Sequence, residues 1–287
     1  MTHGKYYKLI DADSKALSFN LKELWQYRDL IALLVRRDFV SKYKQTVLGP
    51  AWAVIQPLLT TFVFTFVFGS IAGLADTGAV PTFLFYMCGT IVWQFFSGCF
   101  VNTANTFIIN RPIMGKVYFP RLCVPVATAF SQMISLGIQL AMFIVALVIF
   151  LFIPSYSIQT NLFVLMFPVV ILQSMFLGMG CGVIVSALTT KYRDLNMLVG
   201  FGVQLWMYAT PVAYSLSVFK STPILYKIAM INPVTSIIEL SRYGFLGPDA
   251  GSINWIYYSW SWIVTIVLLI IGILMFNKVE KTFMDTV

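Results

Sequence analysis

Two groups of residues in this 287-residue chain have the types and spacing to do chemistry. Glu239 and Arg242 lie three apart, so a helix puts them on one face as an ion pair. A pair of this kind survives in an apolar setting, where an isolated charge is costly. The plain alternative is a surface ion pair in a solvated outer loop. The second group is Arg36, Arg37, Lys42 and Lys44, a cationic run that feeds directly into an apolar stretch starting near Val47. Such a run attracts anionic phosphate at a membrane surface, at roughly 1 kcal/mol per cation. Anchoring to ordinary anionic lipids gives the same pattern. Both groups are suited to binding rather than catalysis. Asp194 and Glu239 fall in different loops, His3 is the single histidine, and Cys88, Cys99, Cys123 and Cys181 form no CxxC pair. Acid–base or metal chemistry at a membrane face therefore finds no matching constellation.

The elements that position these groups are membrane helices. Hydrophobic residues make up 59% of the chain and charged residues only 10%, against roughly 25% charged in soluble domains. A spanning helix needs about 20 mostly apolar residues. Six segments qualify: approximately 51–72, 83–107, 123–153, 162–188, 195–214 and 255–276. Their interiors hold no Asp, Glu, Lys or Arg, whereas ion-coupled carriers usually keep ionisable groups near the midplane. Energy for any transport is then expected from outside the chain.

Charge gives the topology. Nine of the 19 Lys and Arg precede residue 45. Arg111, Lys116 and Arg121 lie between the second and third spans, Lys191 and Arg193 between the fourth and fifth, and Lys278 and Lys281 after the sixth. The alternate loops near 73–82 and 154–161 hold no cation. Cytoplasmic loops are enriched in Lys and Arg, so both termini are expected in the cytoplasm. The net charge of +8 reflects this distribution and not a nucleic-acid surface. The polar or amphipathic first fifty residues argue against a cleavable signal peptide.

Within this frame, residues 1–45 read as a cytoplasmic segment and 46–287 as a transmembrane domain. Asn20 and Glu23 have the spacing of a capping box, which predicts a helix over 20–37. Its apolar stripe of Leu21, Leu24, Trp25, Ile31, Leu34 and Val35 suits the inner leaflet or another subunit. Pro50 and Pro57, with Gln56 between, are expected to face protein or a watery path, because proline frees a carbonyl that lipid cannot satisfy. In 215–254, two apolar segments near 222–231 and 234–246 are too short to cross and are divided by Asn232-Pro233, so they read as re-entrant or interfacial helices. Asn110 to Pro120, NRPIMGKVYFP, is a short cationic inner loop made rigid by Pro112. The aromatics, 16% of the chain, include Trp52, Trp93, Trp206 and Tyr208 within spans. Some of these rings are expected to line a channel, although belt and lipid-facing aromatics are common in any membrane protein.

Six motifs occur in order over about residues 33–245: Tyr43-Lys44-Gln45-Thr46-Val47-Leu48-Gly49, Trp52 through Gln56-Pro57, Asn110 to Arg121, Lys191-Tyr192-Arg193-Asp194, Thr210-Pro211-Val212, and Asn232-Pro233 with the later Glu239 and Arg242. In this series the chain resembles the membrane (permease) subunit of ABC-2-type exporters of O-antigen and other lipid-linked polysaccharides. With the N-terminal amphipathic interface helix and the two short re-entrant helices between the fifth and sixth spans read above, the chain is expected to be an all-α membrane protein. The resemblance implies six transmembrane helices per subunit. It implies a homodimer in a bacterial inner membrane, with two copies of a cytoplasmic ATP-binding subunit that carry the ATP and Mg. The chain itself holds no GxxxxGK[ST] and is expected to bind no cofactor.

The residue roles it implies are these. Asn110, Arg111, Pro112 and Lys116 couple to the ATPase. Arg36, Arg37, Lys42 and Lys44 meet an undecaprenyl-diphosphate headgroup. Read from the residues themselves, Trp52, Trp93, Trp206 and Tyr208 are candidate channel aromatics, and Asn232, Pro233, Glu239 and Arg242 are expected to form a periplasmic gate. Teichoic-acid and capsular exporters share the architecture, and a membrane-embedded glycosyl or acyl transferase is the alternative from a different class.

Overall fold

A computed structural model describes residues 21–44, 46–75, 77–114, 119–189, 194–219 and 222–283. Among these residues the chain is helical and contains no strand. Two N-terminal helices, α1 (Leu21–Gln26) and α2 (Arg28–Tyr43), precede α3 (Trp52–Phe64). A single 3₁₀ turn over Gly49–Ala51 leads into α3, and a π-helical segment over Thr65–Ile71 extends it. There follow α4 (Thr82–Ala104), α5 (Thr106–Met114), α6 (Cys123–Leu151), α7 (Phe167–Thr189) and α8 (Leu195–Ala209). The last three are α9 (Pro223–Ile231), α10 (Pro233–Leu246) and α11 (Trp255–Phe283).

Among the described residues, five helical segments are long and apolar enough to cross a membrane: Gly49–Ile71, Thr82–Ala104, Cys123–Leu151, Leu162–Thr189 and Trp255–Lys278. The expected fifth span at 195–214 is shorter than its hydropathy predicts. α8 has 15 residues and rises about 22 Å, less than a hydrocarbon core of about 30 Å. It stops because Thr210 precedes Pro211 and takes an extended conformation, φ −105° and ψ 145°. The pair α9 and α10 meets at 95°, either as one broken span or as a re-entrant turn.

α4 is the centre of the bundle. Its apolar window is 72% buried, against 17% for Gly49–Ile71, whose outward face carries Leu59, Phe62, Val63 and Phe66. α7 lies against both α4 and α11, and its glycines make this possible. A Cβ on Gly178 would sit 2.8 Å from the Phe96 carbonyl oxygen, and one on Gly182 2.7 Å from that of Phe100. Gly180 faces the other way, where a Cβ would lie 2.9 Å from the Leu269 nitrogen. Gly272 of α11 meets the Gly180 carbonyl oxygen at the same distance. Without a hydrophobic force between helices in lipid, such close backbone packing supplies the association. The buried Gln173 of α7 donates to Ser261 of α11 at 2.7 Å, and Ser261 donates to the Pro233 carbonyl of α10 at 2.7 Å.

One end of the bundle is defined by α2. Leu34 is buried with Phe107, Phe119, Cys123, Val124, Ala127, Val183 and Phe276, all near the ends of spans. The apolar stripe of α2 thus packs against the chain's own spans, mainly α6. Trp25 and Leu33 remain exposed. The helix extends beyond residue 37 to Tyr43, with a break at Tyr27; Asn20 lies outside the described residues.

The connecting segments at the opposite end converge on α10. Gln159 and Asn161 donate backbone N–H groups to the carbonyls of Leu246 and Gly244, and the Asn161 amide donates to the Tyr243 carbonyl at 3.0 Å. Ser157 donates to Ala79, and Ser215 to Leu74. Gly247 ends α10 at φ +97°, a conformation that L side chains rarely adopt.

Candidate functional site

At this far end Glu239 and Arg242 form a buried clasp. Asn232 caps α10 by accepting from the Val234 N–H at 3.1 Å, and Pro233 occupies the first turn, where its missing N–H costs nothing. The helix that follows is buried almost throughout and carries both charged residues inward. Arg242 Nη1 lies 3.5 Å from Glu239 Oε1. The guanidinium also donates to three carbonyls: Pro211 at 2.6 Å, Val212 at 3.1 Å and Phe85 at 3.3 Å. Its central carbon stands 3.6 Å from the centroid of the Phe85 ring. The second oxygen of Glu239 accepts from the Ser252 N–H at 3.0 Å and hydroxyl at 3.2 Å.

The clasp therefore ties α10 to three places: the break after α8, the first turns of α4 and the segment before α11. Thr210 completes it, accepting from the Asn232 amide at 2.8 Å and donating to the Trp206 carbonyl at 2.8 Å. Asn232, Pro233, Glu239 and Arg242 thus come together, and Thr210-Pro211-Val212 joins them. Spacing alone gave the ion pair but not the carbonyl partners, which lie 30 to 157 residues away in sequence. Gly89 was also missed. A Cβ there would sit 2.5 Å from Arg242 Nη2, so glycine opens the notch through which the guanidinium passes.

Beside the clasp is a cavity of about 470 Å³ lined by residues of 215–219, α9, α10 and 248–252, Glu239 among them.

At the α2 end, the cationic run and the 110–121 motif meet. Arg37 donates from Nη2 to Asp38 at 2.7 Å and to Asn110 Oδ1 at 2.8 Å. Asn110 is buried and donates from its amide to the Thr106 carbonyl at 3.1 Å. Lys42 reaches Ser135 of α6 at 3.4 Å, and the Ser131 hydroxyl donates to the Val35 carbonyl at 3.3 Å. Arg37, Asp38, Lys42, Asn102, Asn110 and Gln132 are among the residues lining a polar groove of about 380 Å³. Arg36 and Lys44 are exposed.

The expected inner loop is not loop throughout: α5 continues through Asn110, Arg111 and Pro112 to Met114. Lys116 and Lys191 to Arg193 lie outside the described residues. Asp38, Asn102 and Gln132 carried no sequence signal, because they become part of the groove only when α2, α4, α5 and α6 are assembled.

The four aromatics divide. Trp93 is 4% exposed and packs edge-on against Trp206, with Phe96 and Phe100 alongside, so it offers no free face. Trp206 fills the space between α4 and α8. Trp52 and Tyr208 are exposed at 43% and 48%. Of the first span's polar and proline positions, Pro57 is buried, while Pro50 and Gln56 are exposed.

Residues 29–246 match the ABC-2 type transporter family. The chain is 28% identical over 271 residues to an O-antigen export system permease protein RfbA of Klebsiella pneumoniae, covering 94% of this chain and 98% of that one. To the O-antigen export system permease protein RfbA of Myxococcus xanthus it is 27% identical over 219 residues, 76% of this chain and 80% of the other. The inner membrane transport permease YadH of Escherichia coli K12 is 22% identical over 201 residues, 68% and 75% of the two chains.

Proposed function

The chain belongs to the ABC-2 type transporter family, and from that premise we propose that it is the permease subunit of an exporter moving undecaprenyl-diphosphate-linked O-antigen polysaccharide across a bacterial inner membrane. The observation that carries this reading is the nearly end-to-end likeness to O-antigen export permeases, which leaves no large unmatched part on either side. ATP hydrolysis belongs to a separate cytoplasmic subunit, two copies of which serve a homodimer of this chain, with both termini on the cytoplasmic side.

Several features of the geometry support this reading. The outward faces of Gly49–Ile71 and α8 are rich in exposed apolar residues, Phe62 and Phe66 on one and Leu198 and Phe201 on the other, and suit a second copy. α5 carries Asn110, Arg111 and Pro112 at the α2 end, where a cytoplasmic ATPase would dock, and Arg37 links it to α2. The groove holding Arg37 and Lys42, with Arg36 and Lys44 nearby, suits a diphosphate headgroup. Trp52 and Tyr208 are the aromatics with faces left for sugar rings. The clasp at the far end closes the exit.

Deleting the gene and restoring it on a plasmid tests the reading. Surface polysaccharide is expected to vanish and return, with lipid-linked polymer accumulating on the inner leaflet in between. Unchanged surface polysaccharide in the deletion strain, or failure of the chain to co-purify with an ABC ATPase, overturns it.

A further inference from the structure

We infer that the far-end cavity beside the clasp is a binding subsite for a neutral sugar residue. The inference draws its ligand class from the export reading and adds a place, a set of residues and a selectivity.

The cavity of about 470 Å³ falls within the range of about 300–1,000 Å³ for small-ligand sites. Its walls combine the carboxyl groups of Glu239 and Asp249, the hydroxyls of Ser215, Ser217 and Ser252, and the ring of Tyr226. An aromatic face beside convergent carboxylates and hydroxyls is the donor–acceptor set that a ring bearing many hydroxyls requires. Among the described residues the lining contains no Lys or Arg.

The site is also built. Glu239 is fixed through both oxygens, one on Arg242 and one on Ser252. Ser217 donates to Ser215 at 2.9 Å, and the Ser215 N–H is held by the Leu74 carbonyl at 3.0 Å. Asp249 stands against Gly78, where a Cβ would lie 3.4 Å from its Oδ2. Rigid walls of this kind lower the ordering cost of binding.

Arg242 balances the charge of Glu239, so the carboxylate of Asp249 sets the charge that an acidic ligand meets among the described lining residues. A uronic acid or phosphorylated sugar would bring a like charge toward Asp249, and such juxtaposition rejects a ligand even where the ring fits. The subsite accordingly takes neutral sugars and turns acidic ones away.

The test uses the full chain in lipid nanodiscs with Pro248→Cys, an exposed lining position outside the donor set, as a reporter thiol labelled by an impermeant maleimide. The probes are a manno-oligosaccharide and a galacturonate oligosaccharide of equal length. The neutral probe is expected to slow labelling several-fold and the acidic probe to leave it unchanged. Adding Asp249→Asn with Tyr226→Ala should abolish the protection. The inference falls if the neutral probe gives no protection, if protection survives the double substitution, or if both probes protect equally. Polysaccharide export by the unsubstituted chain in cells is scored separately. Export without protection removes the subsite and leaves the export reading standing. Protection in a chain that supports no export retains the sugar site and removes that reading.

Discussion

Arg37 of α2 and Asn110 of α5 stand 73 positions apart in the chain and 2.8 Å apart in space. The cationic run ahead of the first span and the segment proposed to meet the ATPase are therefore mechanically joined. A displacement of α5 reaches α2 through a hydrogen bond to a charged group, with Asp38 holding the other side of the guanidinium.

This link has a measurable energy. A hydrogen bond to a charged group contributes about 1.5–3 kcal/mol, and the half-exposed setting of Arg37 favours the lower end. In a double-mutant cycle with Arg37→Ala and Asn110→Ala, thermal unfolding in detergent should give a coupling of about 1.5 kcal/mol. Additive effects would mean that the two residues are neighbours without a link.

The clasp makes a sharper demand on Gly89. Gly89→Ala should displace the Arg242 guanidinium and destabilise the chain by about 1–3 kcal/mol, as overpacking does. In an Arg242→Ala background the same change should cost almost nothing, because the notch is then empty. Unfolding midpoints of the two single variants and the double variant check this. Equal costs in both backgrounds would show that the notch does not serve Arg242.

Arg242→Lys is not conservative here. Lysine has one compact ammonium and cannot span Pro211, Val212 and Phe85 while facing Glu239. Removing one partner of a buried ion pair typically costs about 3–5 kcal/mol. Arg242→Lys should therefore lose most of the folded yield and export lost by Arg242→Ala. Full export by the lysine variant would reduce the clasp to a simple charge pair.

The close helix crossings separate the glycines into two kinds. Gly182→Val should sharply lower folded yield, since its side chain would enter the Phe100 backbone and Thr103. Gly200→Ala and Gly202→Ala meet nothing within 4 Å in this chain and gain helix propensity, roughly 1 kcal/mol each. Size-exclusion yield and unfolding midpoint distinguish them. A fall in dimer content without loss of monomer stability at Gly200 or Gly202 would place α8 at the contact between copies.

The proposed topology is testable once the partly exposed Cys181 is replaced by Ser, because Cys88, Cys99 and Cys123 are buried. His3→Cys and Asp285→Cys should resist an impermeant thiol reagent in intact cells and label after permeabilisation. Ready labelling before permeabilisation would invert the topology.

The membrane class and the positions of most spans were legible in the sequence, because apolar length and the placement of Lys and Arg are properties of contiguous residues. The same holds for the break at Asn232-Pro233 and for the pairing of Glu239 with Arg242, which one helical turn sets. The tertiary structure decided the rest. Pro211 ended α8 sooner than hydropathy predicted, since hydropathy does not register the conformation a proline imposes on Thr210. α2 found its partner in α6, which an apolar stripe alone does not name. Trp93 went into the aromatic core between α4 and α8, although its sequence setting matches that of an exposed ring. Gly89 became a notch only when Arg242 arrived from α10, 153 residues later. Local spacing governs contacts within a turn or two of a helix, whereas a buried guanidinium takes its partners from whichever carbonyls the bundle brings within 3.3 Å.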